Sequence, residues 1–467
     1  MAGRRAIVEK RLGSTGALAA RIATLATVIL AVVAAGSVTA CSGGGHGPSP
    51  TTASVSGDVL LPGGVEQFNG ATATAEFYNV TTGAFDCSRL GGVNSTTGAC
   101  NNTMTQARFY ASVAPLPNSQ VLVAGGKGLA GPCAALCLNS AEIFNPATGL
   151  FSPSANAMYD AHCYPHTTTV LQDGRVLITG GEDATGNLVN TADIYNPTTG
   201  QFDCSGLGGV SATTQFCQNT MNDTLFLHTA TLLQNGQVLI VGGNDGMPVA
   251  NAQIFDPASG TFGCAALGGA NASGFCNNTM TDSRQNHSAT LLVSGPVAGD
   301  ALIAGGLDAS GVVLQTAELF QPSSGTFVCS DGSTPGATGC PAAMTHARYL
   351  HAAVLLDPTY VSGSLGGDVL ITGGEDSTGT VLSTAEVYNP ATGKFTAVGS
   401  MTTARALHAA ALITSGPLTG YVLIAGGVDN AGNSLSSAEL FNPATGQFAA
   451  TGSMQLARSS AGVSALR

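Results

Sequence analysis

The 467-residue sequence contains no tryptophan, and Asp, Glu, Lys and Arg together make up only 9% of it. So small a share of charged residues, combined with 63 glycines, favours short strands and tight turns over long helices. The hydrophobic share of 44% is too high for a disordered chain. The composition therefore predicts a folded body rich in β-structure.

Basic residues are especially scarce, with 15 Lys and Arg against 27 Asp and Glu. Five of the basic residues and one acidic residue lie before residue 42, so the remainder has 26 acidic and 10 basic residues and a formal charge of −16. This balance repels nucleic-acid phosphates and anionic membrane surfaces. We therefore expect no nucleic-acid partner, and contact with a membrane only through a lipid anchor.

Familiar catalytic motifs are also missing. The sequence has no Gly-x-Ser-x-Gly nucleophile turn, no phosphate-binding loop and no repeated carboxylate pair of the hydrolase type. The motifs therefore give no support to standard hydrolytic or nucleotide-dependent chemistry.

The N-terminus combines basic residues with an apolar run, Ile22 to Ala40, that ends at Cys41. The segment Val38-Thr39-Ala40-Cys41 resembles a bacterial lipoprotein signal, which implies that Cys41 is lipid-modified. A single transmembrane anchor is the alternative, since the run is nearly long enough to cross a bilayer. We expect an export signal at 1–41, a flexible Gly/Ser/Pro tether at 42–55 and a folded body at 56–467, anchored in the bacterial cell envelope at the periplasm or the cell surface.

From residue 56 onward the chain can be aligned with itself through seven Gly-Gly pairs that follow apolar runs. The pairs begin at Gly63, Gly125, Gly180, Gly242, Gly305, Gly373 and Gly426. Each complete copy predicts four short strands joined as hairpins. The turn before the fourth strand is often Asn-Pro-Ala-Thr-Gly, in which Pro presets one dihedral angle and Gly supplies a positive φ.

The two ends of the repeat array complement each other. The first copy, Gly57 to Cys87, lacks the opening strand, whereas the last segment, Met454 to Arg467, has that strand and nothing after it. Pairing these ends would close a ring and leave no long exposed edge. The sequence thus predicts an all-β fold, a seven-bladed β-propeller of four-stranded antiparallel blades closed by pairing of N- and C-terminal strands.

The full motif, Arg-x-x-His-x-Ala, apolar run, Gly-Gly, Ala-Glu-apolar-Tyr/Phe-Asn-Pro-x-Thr-Gly-x-Phe, resembles the kelch repeat over residues 56–467. The resemblance implies the same propeller, and copies of roughly 50 to 65 residues fit its period with insertions. The chain departs from the family in opening the fourth strand with Phe where Trp is usual. These positions are Phe85, Phe151, Phe202, Phe262, Phe327, Phe395 and Phe448.

Eight of the twelve cysteines form pairs at equivalent places, each bracketing an insertion before the next first strand. The pairs are Cys87 with Cys100, Cys204 with Cys217, Cys264 with Cys276, and Cys329 with Cys340. In an exported chain they predict disulfides, whereas zinc is disfavoured because the spacings are long and no His completes a tetrahedral set. Cys163 can reach Cys133 or Cys137, and a Cys133–Cys137 bridge is an equal alternative.

Two charged sets recur on one predicted face of the ring, which also carries the Cys-bracketed insertions. Loops between second and third strands carry Asp183, Asp245, Asp308, Asp376 and Asp429, and the crossovers between blades carry Arg108, Arg284, Arg348, Arg405 and Arg458. Loops on a rigid scaffold are the usual place for recognition, so the arginines are candidates for a ligand face. The alternative is that Arg and Asp pair with each other or with backbone in every blade.

Five first strands carry a histidine at one equivalent position: His166, His228, His287, His351 and His408. A shared metal is disfavoured because ring neighbours lie too far apart, and a structural hydrogen bond in each blade is expected instead. The third copy differs, with His162 in the Arg position and one residue inserted before His166. His162, Cys163, Tyr164 and His166 are therefore the candidates for specialised chemistry.

The segment HTTTVLQDGRVLITGG, which begins at His166, resembles galactose oxidase and related copper radical oxidases with a seven-bladed kelch body. The resemblance would imply copper held by a Tyr directly before that His, further Tyr and His ligands, and a Tyr crosslinked to Cys. Here Pro165 precedes His166. We therefore expect no cofactor, and copper in particular is not expected.

Repetition without a unique polar constellation favours a non-catalytic, monomeric binding module that recognises a glycan or an envelope or extracellular protein on its loop-rich face. The alternative is a carbohydrate-active enzyme centred on the four residues just named, either a galactose-oxidase-like copper oxidase with a diverged site or a lyase.

Overall fold

The computed structural model describes residues 57–66, 70–129, 135–336, 340–341 and 343–466. The predicted export signal, Cys41 and the tether at 42–55 lie outside these residues. Regular structure in the described part of the chain is β apart from two 3-10 helices, Ser205–Leu207 and Ala265–Leu267. None of the helices described is long and apolar enough to cross a membrane.

The described strands form seven four-stranded antiparallel sheets, numbered in chain order. In order of pairing, sheet 1 contains Ser464–Ala465, Val59–Pro62, Ala75–Asn79 and Ala84–Asp86; sheet 2 contains Ser112–Pro115, Val121–Ala124, Ala141–Asn145 and Leu150–Pro153; sheet 3 contains Thr167–Val170, Val176–Thr179, Ala192–Asn196 and Gln201–Asp203; sheet 4 contains Thr229–Leu232, Val238–Val241, Ala252–Asp256 and Thr261–Gly263. Sheet 5 contains Ser288–Leu291, Ala301–Ala304, Ala317–Gln321 and Thr326–Cys329; sheet 6 contains Ala352–Leu355, Val369–Thr372, Ala385–Asn389 and Lys394–Ala397; sheet 7 contains Ala409–Leu412, Val422–Ala425, Ala438–Asn442 and Gln447–Ala450.

Two smaller sheets accompany them. Val65–Glu66 pairs with both Gly70–Ala71 and Arg458–Ser459, and Lys127–Leu129 pairs with Ala135–Cys137. The architecture is all-β and consistent with a β-propeller.

The hydrophobic core lies between neighbouring sheets. Second strands such as Val176–Thr179 and Val422–Ala425 are buried along their whole length, which explains their unbroken apolar sequence. The predicted Phe of each fourth strand packs on an aromatic residue of the third strand, as Phe151 does on Phe144 with ring centroids 4.9 Å apart. The smaller ring of Phe therefore still packs against the third strand at the position where Trp is usual.

The first strands of the sheets contact one another in a cycle. Ser112–Pro115 contacts Thr167–Val170, each later first strand contacts the next, and Ser464–Ala465 contacts both Ala409–Leu412 and Ser112–Pro115. Val59 and Leu60 pair with Ala465 and Ser464, so both chain ends contribute to sheet 1.

Among the described residues, five disulfides are present: Cys87–Cys100, Cys204–Cys217, Cys264–Cys276, Cys329–Cys340 and Cys137–Cys163. The first four join the repeated pairs of the sequence. The fifth selects Cys137 as the partner of Cys163, whereas Cys133 lies outside the described residues. Five disulfides indicate an oxidising, extracytoplasmic environment.

Candidate functional site

The five candidate arginines lie inside the body, so their expected place on a ligand face is wrong. Their side chains are no more than 1% exposed. Each Nη2 donates to a third-strand carboxylate at 2.7–3.1 Å; the pairs are Arg108–Glu142, Arg284–Glu318, Arg348–Glu386, Arg405–Glu439 and Arg458–Glu76. A buried guanidinium whose two Nη atoms are hydrogen-bonded within the body is not available to a ligand, even though its Nε has no partner among the described residues.

Arg405 shows what this arrangement does. Its Nη1 donates to the carbonyl oxygen of Gly426 at 2.8 Å in sheet 7, while its own carbonyl accepts from the N–H of Gly374 in sheet 6 at 3.0 Å. The Arg405 side chain is thus hydrogen-bonded to sheet 7, and the Arg405 backbone is hydrogen-bonded to sheet 6. We call this arrangement the arginine clasp. A Cβ on Gly373 would collide with the Arg405 carbonyl, which explains one Gly of the Gly-Gly signature.

The repeated aspartates bond to backbone, which is one of the two pairings considered from the sequence, and no ion pair among the described residues joins them to the arginines. The Oδ1 of Asp183 accepts hydrogen bonds from the N–H groups of Thr185 and Asn187 in its own loop. Although burial opposes the effect, these bonds lower the pKa of Asp183 to about 2. The aspartates therefore shape the loops between second and third strands.

Sheets 3 and 4 carry different residues at the clasp. In sheet 3, His162 replaces Arg and Asp193 replaces Glu; the His162 ring lies 2.7 Å from the Gly180 oxygen and 3.1 Å from the Asp193 carboxylate. In sheet 4, Leu225 and Gln253 occupy the two positions, both buried. The two positions therefore change together.

The five repeated histidines sit between sheets. Each Nε2 lies within 3.2 Å of a Ser or Thr hydroxyl of the preceding sheet; the pairs are His166–Ser112, His228–Thr179, His287–Thr229, His351–Ser288 and His408–Thr372. Burial lowers the pKa of His287, and lowers that of the other four to about 3. The rings are therefore neutral at pH 7, and their Nδ1 atoms have no hydrogen-bond partner in the described part of the chain.

These histidines surround a cavity of about 340 Å³, which we call the axial cavity. A rim above them is formed by Tyr110, Pro165, Leu227, Asn286, Leu350, Leu407 and Ser460. None of the lining residues described carries a full charge at pH 7. The volume lies near the lower end of the roughly 300–1,000 Å³ that small-molecule sites occupy.

Backbone hydrogen bonds join the rim, and one junction differs. Leu407 donates to the Leu350 oxygen and Ser460 to the Leu407 oxygen, and this pattern continues to Tyr110 on one side and Pro165 on the other. Rim residues such as Leu407 adopt φ near +53°, which turns the N–H toward the neighbour. Among the described bonds no such link joins Tyr110 to the inserted Tyr164–Pro165 segment, where Pro165 has no N–H.

An aromatic group lies at this junction. The rings of Tyr110 and Tyr164 are 5.2 Å apart and those of Tyr164 and Phe226 5.8 Å apart, and all three are half-buried. We call these three residues the aromatic ledge. Lys127 Nζ lies 4.3 Å from the Tyr164 ring centroid and 2.8 Å from Glu182. Burial, aided by Tyr110 and Glu182, raises the pKa of Tyr164, so its hydroxyl keeps its proton at pH 7.

The four candidate residues of the third copy do not form one reactive centre, which corrects that expectation. Both nitrogens of His162 are hydrogen-bonded, and Cys163 is buried in its disulfide with Cys137. His166 faces the axial cavity, whereas Tyr164 belongs to the ledge. In the described part of the chain no group of three or more His, Cys, Asp or Glu could hold a metal ion.

The disulfide-bracketed insertions attach neighbouring sheets to each other. Asn102 and Asn219 donate to the oxygens of Gly149 and Gly260, which lie in the turn before the fourth strand of the next sheet, at 2.9 and 2.7 Å. Asn278 makes the same bond to Gly325 at 2.7 Å. The residue two positions after the second Cys of these three insertions therefore belongs to the scaffold, whereas residues inside the brackets such as Val93 and Val210 are exposed.

Comparison with known families agrees with this architecture. Residues 359–402 match the family model of the Kelch motif. The match supports a kelch-repeat family. No curated protein matches the sequence. Kelch repeats generally mediate binding of proteins or other ligands.

The sequence did not identify Lys127, Glu182, Tyr110 or Phe226 as candidates. Their side chains vary between copies, so repetition gives no signal for them. A partial signal was present, because the second, third and fourth copies carry aromatic residues one or two positions after the clasp residue, and the structure brings three of them together.

Proposed function

We propose that the chain is a closed seven-bladed kelch-type propeller, exported and anchored through a lipid on Cys41, that acts as a non-catalytic binding module. Its ligand is a glycan, or a protein of the envelope or exterior, that docks at the axial cavity and the aromatic ledge. The half-buried ledge beside the cavity, at the one junction where the rim pattern changes, is the observation that carries this proposal.

The chemistry of the ledge suits a glycan. Tyrosine combines an apolar ring with a polar hydroxyl, so it can contact the C–H face of a sugar and still bond its hydroxyl groups. Lys127 and Glu182 supply a charged donor and acceptor beside Tyr164. The axial cavity adds neutral imidazoles and the apolar rim residues Leu227 and Leu407, an environment for an uncharged polar group.

Glycan-array binding tests the proposal. Tyr164→Ala should weaken binding of any ligand by about tenfold or more, since buried tyrosines at binding sites often contribute over 1 kcal/mol. Tyr360→Ala is the matched control, because Tyr360 is exposed in the loop between the first and second strands of sheet 6, on the opposite face.

A pull-down from envelope extract with the same variants tests the protein alternative. If neither the array nor the pull-down yields a partner that depends on Tyr164, the binding function fails. Copper content and peroxide release from the purified protein test the oxidase alternative, and stoichiometric copper that is lost on His166→Ala would replace the binding function with that enzyme.

A further inference from the structure

Both ring nitrogens of His162 face oxygen atoms that can only accept hydrogen bonds. Nδ1 lies 2.7 Å from the carbonyl oxygen of Gly180, and Nε2 lies 3.1 Å from Oδ2 of Asp193. A neutral imidazole carries one N–H and cannot donate to both. Because His162 is fully buried, no water molecule can take the place of the missing N–H and donate to the second oxygen. With Asp193 ionised, the geometry therefore favours the imidazolium form, which has an N–H for each oxygen.

His162 faces the same two acceptors as a clasp arginine. Arg284 donates to the Gly305 oxygen and to Glu318. The Glu318 carboxylate also accepts the backbone N–H groups of Thr281 and Asp282. In sheet 3 the N–H groups of Tyr159 and Asp160 donate to Asp193 in the same way. The shorter His162 thus pairs with the shorter Asp193, where the other clasps pair Arg with Glu. Unlike arginine, a histidine can lose its proton within the physiological pH range.

The charged groups around His162 favour its proton. Asp193 faces it from the third strand, and Asp160, bonded to Thr191, lies on its own segment. His166, whose ring is 6.1 Å away, and His228 of sheet 4 are the other titratable groups near it. Burial lowers the pKa of His162, but Asp193, the Gly180 oxygen and Asp160 together raise it above 6.5.

We propose that His162 is a pH-responsive clasp, closed at acidic and neutral pH and open at alkaline pH, where the segment 159–166 loosens from sheet 3. Loss of the second N–H leaves either the Gly180 oxygen or the Asp193 carboxylate facing a lone pair. The segment carries Tyr164, so opening changes the aromatic ledge while the five arginine clasps stay closed. This inference concerns the free protein and does not depend on the proposed binding function.

The sign of the pH effect follows from the direction of the shift. A histidine whose pKa is higher in the folded state than in the unfolded chain stabilises the fold fully below pH 6.5. That contribution is lost as the pH rises through the folded-state pKa. The wild type should therefore lose thermal stability from pH 7 to 9.5, by roughly 1–3 °C more than a variant with a permanent cation.

Thermal unfolding of the disulfide-intact protein at pH 6, 7, 8 and 9.5 tests the inference. The double variant His162→Arg/Asp193→Glu copies the clasp of the other sheets and should lack the alkaline loss. His346→Gln, which changes an exposed histidine of sheet 6, is the control and should keep the wild-type profile. Equal alkaline loss in the wild type and the double variant would overturn the proposal.

A second measurement on the wild type covers the case in which the double variant does not fold. Nitrogen-15 NMR of the histidine rings should show both nitrogens of His162 protonated at pH 6 and one of them deprotonated at pH 9.5, and the exposed His346 serves as the reference. Hydrogen exchange of the segment 159–166 should then accelerate at alkaline pH, after correction for the intrinsic rate. A neutral His162 ring at pH 6 would contradict the proposal.

Discussion

Replacing Arg405 by Leu removes the cation that pairs with Glu439, whose side chain is 1% exposed. The carboxylate would keep only the backbone N–H donors of Thr402 and Thr403. Removing one partner of a buried ion pair costs about 3–5 kcal/mol, because the remaining charge stays desolvated. Sheet 4 shows the alternative, since Leu225 and the neutral Gln253 occupy the two positions there and Gln253 accepts the backbone N–H of Asn222.

The double variant Arg405→Leu/Glu439→Gln should therefore recover most of the loss, because it reproduces the natural pair of sheet 4. With an unfolding entropy of about 2.1 cal/mol/K per residue, 3–5 kcal/mol over residues 57–466 corresponds to a fall in Tm of about 4–6 °C. Calorimetry of the oxidised protein at pH 7 measures it. Glu439→Gln alone is the matched control. If Arg405→Leu and the double variant unfold at the same temperature, charge burial is not what makes the clasp necessary.

Three further predictions concern other repeated features. Burial lowers the pKa of His351 to about 3, whereas the same histidine in the unfolded chain takes up a proton below pH 6.5. The stability of the fold should therefore fall as the pH drops from 6.5. His351→Gln should reduce the slope of Tm against pH in that range. The double variant Cys204→Ser/Cys217→Ser should lose about 2–3 kcal/mol of unfolding free energy and therefore have a lower Tm than the wild type. Reducing agent should then lower the Tm of this variant less than it lowers the Tm of the wild type. Asn278→Ala removes the bond to the Gly325 oxygen and should cost about 1 kcal/mol, whereas Asn235→Ala, in an exposed turn, should leave Tm unchanged.

The features that the sequence predicted are local or periodic. The four-strand copies, the Gly-Gly pairs and the four equivalent Cys pairs each repeat with a fixed spacing, so the residues themselves give the pattern. The complementary chain ends are visible for the same reason, since the missing first strand of one end is the extra strand of the other. The structure pairs them as Val59 with Ala465.

The arginine partners were missed because they depend on contact across a sheet. Asp was considered since it recurs in a nearby loop, but the carboxylate that contacts Arg284 is Glu318 on the third strand. A signal existed, because the copy with His162 has Asp193 and the copy with Leu225 has Gln253 at the Glu position. Substitutions that occur together within one chain would have identified the pairs.

The rim and the ledge could not be predicted because the backbone defines the rim and geometry alone brings the ledge together. Tyr110, Leu407 and Ser460 share a positive φ and a backbone bond but no side-chain chemistry. The choice of Cys137 over Cys133 as the partner of Cys163 likewise needs the position of the loop after the second strand.

The axial cavity and its ledge exist only if the two chain ends close one ring. Hydrogen–deuterium exchange of the oxidised protein tests closure directly. The segment 454–466 and its partner Val59–Pro62 should be protected from exchange to the same degree as Ala409–Leu412. Ala409–Leu412 is the first strand of sheet 7 and so corresponds to Ser464–Ala465 in sheet 1. Exchange of 454–466 at the rate of an unstructured peptide, while Ala409–Leu412 stays protected, would contradict it.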